Sequence, residues 1–371
     1  MTKRQLELDV LRGIAVMLVV TYHIKYVQPV DHPFFQFLIR GGWSGVNLFF
    51  ALSGFLVGGL LFREYRDRQK VDVWRFLARR GFKIYPSFWL LVIASAFIPL
   101  AGKLPTLPQV AEELFYIQNY AGGYLDNTWS LAIEEHFYLI LALLVWLYAA
   151  KGGSNPFRSL PFIGVVVSLA VLFMRVVVAQ RNPTFTWDIH YTPTHIRIDG
   201  LFIGAVIAYF DTFFKERFTA FVKKYRFVLL LVGIAGLFPA FYRNVENPRF
   251  CAWLFSLIAI GSAALVMATL AIRLPRWFSP LGLIGKYSYN IYLWHGSMVG
   301  FFIPLIKGYL PWLGNWIILV YLVGSVLLGI GMSAAVEQPF LVLRDRLFPS
   351  HPHPKPAAIP EGEFPSSSAL N

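Results

Sequence analysis

Apolar residues in this chain fall in long blocks separated by short polar segments. Ten blocks approach the roughly 20 residues that cross a bilayer as a helix: about 10–27, 43–62, 84–101, 129–150, 161–180, 198–214, 227–242, 250–271, 287–306 and 311–335. Block length predicts helices, because the strands of a membrane barrel alternate apolar and polar residues over about ten positions. The connections are short, so the pattern predicts one all-α polytopic bundle over residues 1–346. Residues 347–371 are rich in Pro and Ser and predict a disordered tail. No internal repeat is apparent.

Composition agrees with the blocks. Of the 371 residues, 57% are hydrophobic and 17% aromatic, too apolar for a soluble domain of this size. The net charge of +13 invites a nucleic-acid reading, but its distribution points elsewhere. With the N-terminus placed in the cytoplasm, 23 of the 33 Lys and Arg residues fall in inward segments, eight fall in outward ones, and Arg12 and Arg175 lie inside blocks. That is the positive-inside bias, and ten spans return the C-terminus to the cytoplasm. The first block follows Lys3 and Arg4 but lacks a small-residue cleavage site, so it reads as an uncleaved span. A single cysteine, Cys251, rules out an intrachain disulfide. No metal-ligand spacing, phosphate-binding loop or dinucleotide fingerprint occurs.

Ionisable residues inside the blocks carry the candidate chemistry. A charge at a span centre costs on the order of 2.5–3.5 kcal/mol, so its presence calls for a reason. Arg12 and His23 share the first block, and at about 1.5 Å per helical residue they lie roughly 16 Å apart along the membrane normal. Arg79, Arg80 and Lys83 fall within about one helical turn just before the third block. They either touch anionic lipid headgroups or form a clamp for a polyphosphate ligand. Pro86 is expected to fix the turn into the span. The fourth block opens with Glu134, Glu135 and His136, expected on the same side as His23. A carboxylate near an imidazole holds its tautomer and stabilises the imidazolium that forms when the ring takes a proton. Adjacent helical residues diverge by about 100°, so one Glu can face a cavity while the other meets a neighbouring helix.

Other positions read as structural. Ser53 and the glycines around it (Gly42, Gly45, Gly54, Gly58, Gly59) are expected to let helices approach closely. Arg197 and Asp199 are expected to pair with each other or with the two glutamates, most simply as a structural ion pair. Arg175 requires a partner that the sequence does not name. His295, about half-way along the ninth block, reads equally as packing or as functional. Glu337 is placed to answer the Arg79–Lys83 cluster.

These segments resemble the membrane-bound acyltransferase family 3, the O-acetyltransferase-like integral membrane proteins. The matching pieces, in family-like order and spacing, are LDVLRGIAVMLVVTYH, GVNLFFALSGFLVG, RRGFKIYP, WSLAIEEHFYL, RIDGLFIGA, YSYNIYLWH and EQPF. They cover about residues 6–345. The resemblance implies transfer of an acyl group, commonly acetyl from acetyl-CoA, to a hydroxyl of a carbohydrate or envelope glycan in a bacterial inner membrane. It places the family's Arg/His pair on Arg12 and His23, its cytoplasmic basic motif on Arg79, Arg80 and Lys83, and its acidic pair on Glu134 and Glu135. Lys83 stands where arginine is usual, Val10 where glycine is usual, and His136 where glutamine is usual. The last change offers a second imidazole that could share the role of His23. The hydrolase-like domain found in some relatives is not expected after residue 346.

On this reading, cytoplasmic acyl-CoA docks on the basic cluster and its thioester meets His23, which is oriented by Glu134 or Glu135. His23 acts as a base or forms an acyl-histidine. Two other classes use similar residues. A transporter would employ intramembrane Arg, Glu and His as a proton or substrate path, and a lipid-binding protein would employ only the basic loops.

Overall fold

The computed structural model describes residues 5–99, 104–242 and 246–349. Every regular element among them is helical. In chain order the principal helices are α1 (Leu6–Tyr22), α2 (Gly45–Arg68), α3 (Val73–Phe97), α4 (Leu107–Leu114), α5 (Trp129–Ala149) and α6 (Leu160–Arg181). They continue as α7 (Asp199–Phe213), α8 (Lys215–Leu237), α9 (Pro248–Thr269), α10 (Ser279–Lys286), α11 (Ser288–Ser297), α12 (Trp316–Met332) and α13 (Gln338–Leu347). Among the described residues seven helical stretches are long and apolar enough to cross a membrane, and the chain is an integral membrane protein. The other three expected blocks are helical but miss that measure for visible reasons. The third lies in α3, whose first half carries Arg75, Arg79, Arg80 and Lys83. The sixth is α7, only 15 residues long. The ninth begins with α11, interrupted by Ser288, Asn290 and His295. Residues 100–101 of the third block, Lys3, Arg4 and the tail from 350 onward lie outside the described residues.

Small residues set the central packing. A Cβ on Gly54 of α2 would lie 1.9 Å from the carbonyl oxygen of Leu201, and one on Gly204 of α7 would lie 2.2 Å from that of Ala51. The two backbones therefore touch, as small residues at membrane helix interfaces allow. Gly45 brings α2 onto α1 in the same way, where a Cβ would meet Ala15 O at 2.3 Å. On its other side α1 packs against α10. The first helix is thus flanked by α2 and α10, and Arg12 and His23 line the cavities described below.

Two expectations change here. Pro86 does not turn the chain: α3 runs through it without interruption from Val73 to Phe97. Neighbouring helices satisfy backbone groups in a membrane bundle, which makes an internal proline tolerable; beside it, Tyr289 donates to Ile84 O (2.6 Å). Asp199 pairs with Arg175 (2.6 Å), not with Arg197, and both side chains are buried. Arg175 also donates to Ile196 O and Ser256 Oγ. Arg197 instead donates to Asn47 Oδ1 (3.0 Å) inside a cage of Phe50, Trp129, Tyr191 and Phe255.

One end of the bundle gathers the basic segments around 63–66, 215–223 and 273–286. The opposite end gathers residues 22–26, 118–127 and 185–192.

Candidate active site

Three cavities succeed one another between these ends. The first, about 920 Å³, opens on the basic end and is lined by eight Lys and Arg residues against Asp9, Asp211 and Glu337. It shares Arg12, Leu56, Arg63 and Lys83 with a central cavity of about 340 Å³. The third, about 650 Å³, contains His23 and opens at the opposite end. Among the described residues only Val46 and Tyr292 line both the central cavity and the His23 cavity.

The central cavity collects most of the predicted residues. Arg12 from α1, Arg80 and Lys83 from α3, and Glu134 and Glu135 from α5 all line it. Arg80 and Lys83 are three residues apart, hence on one helical face. Arg80 donates to Tyr138 OH (2.6 Å) and lies over its ring at 4.5 Å. Arg79 is one residue from Arg80 and so points about 100° away. It pairs with Asp345 of α13 (3.0 Å) and donates to Phe348 O, lining none of the three cavities. The basic triplet is therefore divided by helical geometry.

The glutamates face the same cavity through different neighbours. Glu134 Oε2 accepts from Ser53 Oγ (2.9 Å) and from Tyr138 OH. Glu135 Oε2 accepts from Tyr85 OH (3.0 Å). Neither touches His23, so the expected carboxylate–imidazole contact is absent among the described residues. The reason is depth: both glutamates lie more than one turn into α5, on the basic side of Tyr292, whereas His23 ends α1 on the other side. Ser53, read from sequence as a packing residue, is a polar member of this cavity instead. Among the described residues three buried atoms on the cavity wall have no hydrogen-bond partner: Arg80 Nε, Glu135 Oε1 and Ser288 Oγ. Unpaired buried polar groups are costly and uncommon, and these three line a void that water or a polar ligand can fill.

His23 finds another imidazole. Its Nδ1 lies 2.9 Å from Val19 O, one helical turn back. A carbonyl only accepts, so Nδ1 carries the proton and Nε2 keeps the lone pair. His295 Nδ1 lies 2.5 Å from Tyr292 O, which fixes the same tautomer on that ring. The remaining lone pair, His295 Nε2, then lies 3.3 Å from His23 Nδ1 and accepts a share of its proton. His136 takes no part: its Nδ1 bonds Thr194 Oγ1 (2.7 Å), away from the three cavities. Glu337, which lines the basic cavity, accepts from Asn290 Nδ2 and Ser333 Oγ.

A sequence profile described as an acyltransferase domain, that of acyltransferase 3, matches residues 5–334. The chain belongs to the acyltransferase 3 family. It is 27% identical over 322 residues to the O-acetyltransferase OatA of Staphylococcus aureus, an alignment covering 79% of this chain and 50% of the relative. It is also 27% identical over 332 residues to the peptidoglycan O-acetyltransferase OatA of Listeria monocytogenes, covering 81% and 50%. The chain spans about half the length of the curated relatives it matches. No solved structure matches it. Two residues that line the acyltransferase 3 cavities, Ser53 and Tyr292, and Tyr138, which bonds Arg80 and Glu134 beside them, carry no sequence signal for chemistry. Hydroxyls are common in apolar helices, and no spacing rule separates those facing a void from those facing a neighbour. His295 was visible as an intramembrane histidine, but its pairing with His23 was not. Among the described residues no group of His, Cys, Asp and Glu has the arrangement to hold a metal ion.

Proposed function

We propose that this chain is an O-acyltransferase of the bacterial inner membrane. It takes an acyl group, acetyl in the simplest case, from cytoplasmic acyl-CoA and delivers it to a hydroxyl of a carbohydrate or envelope glycan. The carrying observation is the pair of unlike cavities that meet at Val46 and Tyr292, one cationic and one containing a proton-accepting imidazole. The basic end faces the cytoplasm in this proposal, with ten spans and both termini inside.

The cationic mouth supplies point charges and guanidinium forks for the phosphates of a nucleotide thioester. Arg80 and Lys83 extend that field inward, and Arg12 continues it toward the membrane centre. The unpaired Arg80 Nε, Glu135 Oε1 and Ser288 Oγ offer donors and acceptors to the amide groups of the pantetheine arm. Glu134 and Glu135 thus act on the donor in this proposal and not on His23. Arg79 holds α13 against α3.

At the other end Trp43, Trp129 and Trp187 give the His23 cavity aromatic walls, and Asp126, Asn127 and Asp188 give it polar groups. That mixture suits a hydroxyl-rich acceptor with apolar ring faces. His23 Nε2 takes the proton of an acceptor hydroxyl. The resulting oxyanion bonds to the thioester carbonyl carbon, the carbon–sulfur bond breaks, and the thiolate leaves with the proton returned by His23. The products are an O-acyl ester and free CoA thiol. The names of the relatives point to peptidoglycan as one acceptor to try.

The test is acetyl-CoA turnover by the purified full chain, following free thiol and acyl ester on added glycan, in wild type beside His23→Ala. Loss of both signals in a folded His23→Ala protein that still binds CoA is the expected result. Ester formation retained in that variant overturns the role of His23. Folded wild type that releases no thiol from any acyl-CoA, with glycan present, overturns the donor.

A further inference from the structure

Tyr292 occupies a position that the proposed chemistry does not yet use. Tyr292 lines both the central cavity and the His23 cavity, a position it shares among the described residues with Val46 of α2. The hydroxyl is held from both directions. It lies 2.6 Å from Ser130 Oγ, whose side chain lines the central cavity, and it donates to Asn127 O (2.8 Å), whose residue lines the His23 cavity. With Asn127 O as acceptor, the tyrosine proton is committed there, so Ser130 is the donor in the other bond. The ring is therefore fixed across the boundary and does not simply border it.

The backbone around the ring is fixed as well. Asn127 Nδ2 donates to the carbonyls of Tyr292 (3.0 Å) and Leu293 (3.1 Å), which latches the loop before α5 onto α11. The latch leaves no room for a side chain at Gly296, where a Cβ would lie 2.8 Å from Asn127 Oδ1. The same Tyr292 carbonyl receives His295 Nδ1, so the boundary residue and the histidine beside His23 share one anchor. Immediately after α11 the chain makes a π-helical turn, Met298–Phe302, a form found often near functional sites.

We propose that Tyr292 and Val46, the residues common to the two cavities among those described, form the specificity-determining boundary of the acyl path. Whatever acyl group leaves the central cavity for His23 must pass between these two side chains. Because two hydrogen bonds hold the hydroxyl, the ring does not swing aside, and the size of residue 46 sets the length of acyl chain that reaches the imidazole. This inference rests on the acyl-CoA reading above. It makes Tyr292 and Val46 selectors of the acyl group, while phosphate recognition stays with the basic cavity and proton transfer with His23.

The experiment measures kcat/KM for acetyl-, butyryl- and hexanoyl-CoA with the full chain in lipid nanodiscs, in wild type, Val46→Ala, Val46→Leu and Tyr292→Phe. A methylene accepted or refused by an apolar passage changes the rate ratio by about tenfold or more. Val46→Ala should lower the acetyl-over-butyryl ratio by about that factor, and Val46→Leu should raise it. Tyr292→Phe, with its ring released from Ser130 and Asn127, should increase thiol release without acceptor and flatten the chain-length profile. Affinity for ADP, which reports phosphate binding in the basic cavity and the fold, should stay within about twofold of wild type in each, since ADP has neither the pantetheine arm nor the acyl group that meets the boundary. A ratio unmoved in both Val46 variants while wild type turns over overturns the selector and leaves the acyl-CoA reading standing. Absence of turnover in wild type with every thioester overturns both. Should Val46→Ala lose ADP binding, Val46→Leu and Tyr292→Phe carry the same decision.

Discussion

His295 Nε2 lies 3.3 Å from His23 Nδ1, although 272 residues separate them in the chain. Both rings are pinned through Nδ1 to a carbonyl of their own helix, His23 to Val19 and His295 to Tyr292. In the proposed mechanism His295 is thereby a positioning residue. It accepts from the protonated nitrogen of His23 and leaves the lone pair of His23 Nε2 for the base role proposed above. Replacing it with leucine should lower kcat by about 10- to 100-fold, the range that outer hydrogen-bond partners of a working imidazole command. The donor KM should not move, and His295→Gln, which restores an acceptor, should recover part of the loss. Steady-state kinetics on both variants decide between this role and simple packing, which would give equal losses.

Arg79 and Arg80 are neighbours in sequence and opposites in structure. Arg80 lines the central cavity, whereas Arg79 meets the half-exposed Asp345. A hydrogen bond to a charged group contributes about 1.5–3 kcal/mol, so Arg80→Ala should raise the donor KM by about 10- to 100-fold. Exposed ion pairs contribute about 0–1 kcal/mol, and Arg79→Ala should leave the donor KM near wild type. Titration of CoA binding to the two variants separates them, and equal losses would reinstate the undivided basic cluster.

The ion pair between Arg175 and Asp199 is buried, with side chains only 3% and 4% exposed. Removing one partner strands the other. Asp199→Ala should therefore destabilise the bundle by about 3–5 kcal/mol, whereas a double replacement with apolar residues should recover most of that loss. Thermal unfolding in detergent, followed for the two proteins side by side, gives the answer. Equal destabilisation by the single and double variants would contradict it.

Glu113 of α4 lies outside the spanning helices and is fully buried, accepting from Thr128 Oγ1 (2.7 Å) and Leu125 N (3.2 Å). Burial pushes its carboxyl up to about 7, against the opposite pull of these two hydrogen bonds. The folded state then holds the proton more tightly than the unfolded chain. Its stabilising contribution is complete below the usual carboxylate value and is lost as the pH rises through about 7. The unfolding midpoint should fall between about pH 5 and about pH 8 in wild type and fall less in Glu113→Gln. Parallel slopes in the two proteins would exclude this carboxyl as the cause.

Much of the site could be read along the chain because lipid penalises charge. Arg12, Arg80, Lys83, Glu134 and Glu135 are conspicuous in apolar helices, and all five line one cavity. The same penalty flagged His23, Arg175 and His295. Pairing was not legible. The carboxylates were expected beside His23 because both open a segment on the same side, yet a little more than one turn of α5 carries them past Tyr292 into the other cavity. Asp199 was expected to meet Arg197, two residues away, but their directions on the chain diverge and Arg175 of α6 is closer in space.

What the sequence determined by itself is the solvent and the periodicity: long apolar blocks can only be helices in lipid, because every backbone donor and acceptor must be satisfied within the segment. Their costly exceptions then identify the residues with something to do. Only the tertiary structure decided which of those residues meet. Contacts among helices depend on rotation and depth, fixed here by backbone-to-backbone packing at Gly54 and Gly204 and by the position of α1 between α2 and α10. A rotation of about 100° separates Arg79 from Arg80, and a difference of depth puts Glu134 and His23 in different cavities. Neither quantity is written in the order of the residues.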